Sequence, residues 1–231
     1  MIITGAKAKV YGKLAKSLTS EFAASSQEYK LACIFNSSTS LVDASELNLN
    51  DIIISTCCYY SMFDGCTSLK SAPKVLPATT LAYDCYSYMF SGCTSLTSAP
   101  ELPAITLTGG CYSYMFYGCT SLTSAPKLPA TTLAGSCYQY MFGGCTSLTS
   151  APELPATKLA GGCYENMFWN CTSLTSAPEL PVTTLADNCY YGMFYGCTSL
   201  TSAPKLPATK LTINCYKSMF SGCTSLTSAP E

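Results

Sequence analysis

CYSYMFYGCTSLTSAPKLPATTLAGS, residues 111–136, is followed at Cys137 by nearly the same phrase again. The common form is CYxxMFxGCTSLTSAPxLPATxLAxx, 26 residues long. Its Met-Phe pair falls at 62, 89, 115, 141, 167, 193 and 219, a step of 27 followed by five steps of 26. A weaker copy stands at Ile34-Phe35, followed by Asn36-Ser37-Ser38-Thr39-Ser40-Leu41. A unit this short cannot bury its own apolar face, so neighbouring copies must stack into one continuous core. The period alone therefore predicts a solenoid.

Within each copy, the TSLTS segment (94–98 and its equivalents) reads as a short strand ended by a proline, which cannot donate to a sheet ladder. A PxLP turn follows, and Leu107 and its equivalents point inward. Asp84, Gly110, Ser136, Gly162, Asn188 and Asn214 then recur in one column, and all are good helix N-caps. The seven residues after the cap predict a two-turn helix with Cys111/Met115 and Tyr112/Phe116 as i,i+4 pairs on its inner face. Gly65, Gly92, Gly118, Gly144, Gly196 and Gly222, with Asn170 as the one substitute, supply a left-handed stop. Strand, turn, capped helix and stop in every coil make the expected class α/β.

The stretch Tyr-Met-Phe-Ser-Gly-Cys-Thr-Ser-Leu-Thr-Ser (88–98) resembles the repeat of BspA-like leucine-rich repeat surface proteins. The resemblance covers roughly residues 31–231 and is specific in MFxGCxSLTS. It departs afterwards, where APxLPATxLA replaces a more aspartate-rich segment and Cys-Tyr replaces Asp-Met before the helix. It implies a right-handed leucine-rich-repeat solenoid of about eight coils, with a parallel sheet on one side and short helices on the other. It also implies display at a microbial surface and adhesive, non-enzymatic work.

Composition narrows the function classes. Hydrophobic residues make up 48% of the chain and charged residues 11%, with a net charge of −1. That balance lacks the basic stripe of a nucleic-acid binder, and with no arginine there are no bidentate phosphate clamps. No apolar run is long enough to insert in a membrane. Lys7, Lys9, Lys13 and Lys16 read as a solvated helix face. Histidine is absent, and no Ser or Cys departs from its repeated copies with a base nearby, so an enzyme is a poor reading. No cofactor is expected.

The sixteen cysteines are seven pairs at spacing eight, from Cys58/Cys66 to Cys215/Cys223, plus Cys33 and Cys57. The close C-x2-C spacing of zinc sites is missing. Buried reduced thiols are the first expectation, since cysteine packs as a small hydrophobe. Coil-to-coil disulfides are the alternative. A charge column, Glu46, Lys74, Glu101, Lys127, Glu153, Glu179, Lys205 and Glu231, changes sign at every step but one and reads as a register and solubility device.

Function is sought where the copies differ. The outward positions carry Tyr88, Tyr114 and Tyr140 in one column, and Tyr117, Trp169 and Tyr195 in another, with Tyr191 expected to stack on Tyr195. These seven aromatics are the candidate contact surface for a protein or glycan partner; the competing reading is that the rings only cover the core.

The ends complete the layout. Val10, Leu14, Leu18 and Phe22 predict an apolar helical stripe, so 1–30 is expected to be an N-terminal helical cap. Residues 31–231 form the solenoid, with 31–57 its degenerate first coil. The pattern runs at full strength to Ala229-Pro230-Glu231 without a C-terminal cap, which suggests self-association through that end or continuation in a longer chain. The opening MIITGAKAKVYG lacks the apolar stretch of a secretory signal. The favoured function is an extracellular or cell-surface binding and adhesion module. A phage or virion appendage for structure or host recognition is the alternative, and ice binding through the Thr/Ser rows is a third.

Overall fold

The structure, a computed structural model, describes residues 8–13, 31–50 and 54–229. Two strands pair in parallel, β1 (Ala8–Lys13) and β2 (Leu41–Asn48), from Ala8↔Leu41 to Lys13↔Asn48, with register shifts between Ala8 and Lys9 and between Lys9 and Tyr11. Lys9 Nζ lies 3.4 Å from Asp43 Oδ2 across the pair. Val10 thus sits in a strand instead of the expected helix, and Lys9 and Lys13 sit with it. Leu14, Leu18, Phe22 and the rest of the expected cap fall outside the described residues.

From Leu31 onward the copies stack, and the expected helices are absent from the described residues. CYxxMFxGC is instead a run of tight turns. Its hydrogen bonds alternate. Cys85, Ser87, Met89, Ser91 and Cys93 donate N–H to the carbonyl three residues back, at 3.1–3.3 Å. Tyr86, Tyr88, Phe90 and Gly92 donate to Cys111, Ser113, Met115 and Tyr117 of the next coil, at 2.7–3.0 Å. A helix would direct its N–H groups, after the first turn, to carbonyls four residues back in its own chain segment. By sending alternate amides along the solenoid axis, the turns satisfy the backbone and join the coils together.

The chain achieves this with a positive φ every fourth residue, as at Asp84, Tyr88 and Gly92 (49°, 57° and 67°). The column read as N-caps is the first of these left-handed positions. Asp, Asn and Gly tolerate that conformation as well as they serve as caps, so the residues were informative but ambiguous. The expected left-handed stop is present, with φ of 71° at Gly118 and 54° at Asn170.

The period of four places the inner pairs where the sequence put them. Cys111, Tyr112, Met115, Phe116 and Cys119 are all buried. Their equivalents form columns through the core. The phenylalanine column runs from Phe35 to Phe220 with ring centroids 5.3–5.7 Å apart. The tyrosine column runs from Tyr59 to Tyr216 at 5.2–5.8 Å. Each such ring contributes roughly 1.5–3 kcal/mol by leaving water.

The cysteines are free thiols and nearly all buried; Cys33 is exposed and Cys223 half-buried. The second cysteine of each pair has a specific partner. Cys119 Sγ donates to the carbonyl of Phe90 in the previous coil at 3.1 Å, and Cys93, Cys145, Cys171 and Cys197 repeat the contact. Phe90 O already accepts the amide of Cys93, so the thiol occupies its second lone pair.

The expected sheet of TSLTS strands is reduced to β2 and scattered parallel bridges such as Thr80↔Thr106 and Thr132↔Lys158. Coil one, LVDASELN, has no proline and forms β2. The six copies after it carry two prolines each, as at Pro100 and Pro103, and each removes an amide from any ladder. Threonine side chains substitute for part of it: Thr94 Oγ1 donates to Thr67 O and Thr120 Oγ1 to Thr94 O, at 3.3 and 3.4 Å. The inner Leu96 and its equivalents are buried as expected from Leu41 to Leu200, and Leu226 of the last coil is half-buried. In the charge column, Lys74 Nζ lies 3.5 Å from Glu46 Oε1, and Glu231 is outside the described residues. The single step of 27 comes from one extra residue beside Val75, which itself bridges Glu101 in parallel: Glu101 donates to Lys74 O and accepts from Leu76 N.

Candidate functional site

The outward side chains of the turn runs fall in three columns, because the two residues between Tyr and Met and the one after Phe point away from the core. In the middle column Tyr88, Tyr114 and Tyr140 stack face to face, with centroids 4.6 and 4.8 Å apart and planes within 13°. This column is also a left-handed position, at φ of 57°, 55° and 51°. The other full copies place Ser61, Asn166, Gly192 and Ser218 there, and the degenerate first coil Cys33. A bulky aromatic in that conformation is uncommon and strained.

The third column continues the surface. Tyr117 meets Tyr114 at 5.7 Å and Tyr140 at 6.1 Å. It also stacks on Trp169 at 6.4 Å, although the two belong to coils that are not adjacent. Gly143 stands between them, and its missing side chain is the reason the rings can close. A Cβ at Gly143 would lie 2.9 Å from Tyr117 Cδ2 and 3.2 Å from Tyr140 Cδ1. Trp169 goes on to Tyr195 at 6.5 Å.

Six of the seven expected residues therefore form one connected strip. Tyr191 does not join through Tyr195. The two rings make no contact, and Tyr191 instead lies under Lys217 Nζ, 5.8 Å from the ring centroid. Tyr60 extends the strip at its other end, 5.7 Å from Tyr88. It stands in a different column from Tyr88, so column-by-column comparison of the repeats passes over it.

Acidic groups border the strip. Burial, then the neighbouring Tyr60, Asp64 and Asp84, raise the Tyr88 phenol above its ordinary value. Burial, then Tyr88, Tyr140 and Glu165, push Tyr114 up to about 12. Burial also lifts the carboxyls of Asp64, Asp84 and Glu165 above the usual range. Asp64 Oδ2 accepts a hydrogen bond from Asn36 Nδ2 at 3.3 Å. The phenols stay neutral and offer both donor and acceptor oxygens.

On the proline side, a shallow groove of about 400 Å³ is lined by Pro126, Pro129, Pro152 and Pro155 with Lys127 and Glu153. Apart from Lys127 and Glu153, its walls are residues that barely vary between copies. Among the described residues no helix is long and apolar enough to cross a membrane.

A family model described as a BspA type leucine rich repeat region matches residues 56–201 and 164–230, in six copies. Together the two stretches span 56–230, well over half of the chain. No curated protein matches. Among solved structures, the chain is similar to a leucine-rich repeat protein from Bacteroides ovatus, at 24% identity and a TM-score of 0.48. The match covers 84% of this chain and 55% of that one, so the chain spans about half the length of that protein.

Proposed function

The chain belongs to the BspA-type leucine-rich-repeat family, and on that premise we propose that it is a non-enzymatic binding module whose contact surface is the aromatic strip of the turn side. The observation that carries this reading is the strained tyrosine column. Packing alone would leave Ser, Asn or Gly at these left-handed positions, as four other coils do. Three consecutive tyrosines there keep a conformation that costs about 1–2 kcal/mol per residue for an L side chain. The cost is sensible if the rings serve a contact.

Large, rigid aromatic side chains with small polar neighbours are what recognition surfaces use. Here Tyr88, Tyr114, Tyr117, Tyr140, Trp169 and Tyr195 are interleaved with Ser, Asn and Gly. The stacked rings cover one another's faces, so the strip offers mainly edges and hydroxyls. That arrangement favours a protein partner over a sugar that must lie flat on a ring. Tyr191 flanks the surface. Work outside the cell, at a microbial surface, is the setting the family resemblance implies, and it belongs to the same proposal.

The test is Trp169→Ala assayed against arrays of extracellular proteins and glycans, with thermal unfolding in parallel. We expect attachment to weaken while the unfolding temperature hardly moves. A loss of 3 kcal/mol or so, as for a truncated core aromatic, would make Trp169 packing and defeat the reading. Undiminished binding would defeat it too and point to the threonine rows, whose hydroxyl protons are already committed to neighbouring carbonyls.

A further inference from the structure

The charges of the turn side are not balanced. Among the described residues of the CYxxMFxGC runs and the two positions before each, the acids are Asp64, Asp84, Glu165 and Asp187, and the only base is Lys217. Lys217 is already engaged over Tyr191. The proline side, by contrast, alternates Glu and Lys up its column and joins Lys74 to Glu46. No described cation lies within ion-pair distance of Asp64, Asp84 or Glu165, while Asp43 and Glu46 elsewhere are each paired.

These carboxylates are also placed with respect to the tyrosines. Asp64 and Asp84 act on Tyr60 and Tyr88 at one end of the stack. Glu165 acts on Tyr114 and Tyr140 at the other. Partial burial already disfavours the charge on all three, and an incoming cation would relieve that. Lys217 over Tyr191 is an internal example of the contact such a partner would make.

We propose that the strip recognises a basic protein segment, lying extended along the solenoid axis, with two cationic side chains reaching the carboxylates at its two ends. Asp84 and Glu165 are three coils apart, or about 15 Å at roughly 4.8 Å per coil. An extended chain advances about 3.3 Å per residue, so cationic residues about four apart, on the same face of the segment, span the distance. Between them the segment crosses the ring edges and phenol oxygens of Tyr88, Tyr114 and Tyr140. This inference rests on the strip being the contact surface and adds the chemistry of the partner.

The experiment uses the full chain and fluorescently labelled synthetic peptides of Gly, Ser and Tyr carrying two arginines at varied separation. A matching series carries two glutamates. Anisotropy should show the arginine pair about four residues apart binding about tenfold tighter than an adjacent pair, and the glutamate series not binding. Asp84→Asn combined with Glu165→Gln should weaken that binding by about tenfold or more, with an unfolding temperature little changed because the carboxyls are partly buried with no described cation beside them. Three results overturn the inference: no dependence on arginine spacing, no effect of the amide variants, or an equal loss from Glu101→Gln with Glu153→Gln on the opposite side. Trp169-dependent binding of a glycan or an uncharged protein, with no basic peptide bound, would also overturn it while leaving the strip intact. Binding insensitive to both Trp169→Ala and the amide variants would remove strip and inference together.

Discussion

Replacing Tyr114 by asparagine separates a contact surface from a core. Asparagine already fills this column at Asn166 and tolerates the left-handed conformation that Tyr114 holds at φ 55°. The change removes stacking on Tyr88 at 4.6 Å and on Tyr140 at 4.8 Å, about 0.5–1.5 kcal/mol for each pair. It returns about 1 kcal/mol or more of backbone strain. The net loss should be about 2 kcal/mol or less. Phe116, two residues on, is 0% exposed and stacked on both sides in the core column. Phe116→Ala should cost about 3–5 kcal/mol. Urea unfolding followed by circular dichroism measures both, compared as midpoints because a stacked array need not unfold in one step. Tyr114→Asn losing as much as Phe116→Ala would show the outer stack to be part of the core and refute the assignment.

Other consequences follow from the same geometry. Burial pushes the thiols of Cys111 and Cys163 up to about 12, above the ordinary 9.0 that they regain on unfolding. The raised folded pKa contributes stability that is intact below about pH 9 and is lost as pH climbs toward 12. Unfolding midpoints should fall across that window, and thiol reagents should reach the buried cysteines only after denaturation. All sixteen should titrate in denaturant without reductant; a count near zero would establish disulfides instead. Gly143→Ala should displace Tyr117, whose ring carbon would lie 2.9 Å from the new methyl. Partner binding should weaken with little change in the unfolding midpoint, although the substituted residue itself touches no partner.

The sequence made the stack, its inner residues and the left-handed stops legible, because burial and φ constrain residue type directly. Cys111, Tyr112, Met115 and Phe116 had to repeat, and among the full copies Gly118 is exchanged only for Asn170, with Ser37 in the degenerate first coil. The local conformation was not legible to the same degree. Apolar pairs four residues apart fit a helix and a chain of turns equally well. Asp84, Ser136 and Asn188 fit an N-cap and a positive φ equally well. What separates the two is where the alternate amides go, and that depends on the next coil. Pro100 in the sequence reads as ending a strand, whereas the larger effect of Pro100 and Pro103 together is to prevent one. At the candidate site, variation between copies pointed to Tyr88, Tyr114, Tyr117, Tyr140, Trp169 and Tyr195. Tyr60 and the reach of Tyr117 across Gly143 to Trp169 depend on contacts between columns, which no single column reveals.

Trp169 is the only tryptophan in the chain and sits inside the strip, so its emission reports on that surface alone. The decisive measurement is its fluorescence, with acrylamide quenching, as a binding partner is titrated to saturation. A contact through the strip predicts a shift of the emission to shorter wavelength and protection from the quencher, both following the binding isotherm. Saturated binding with emission and quenching unchanged would place the contact elsewhere and contradict the account.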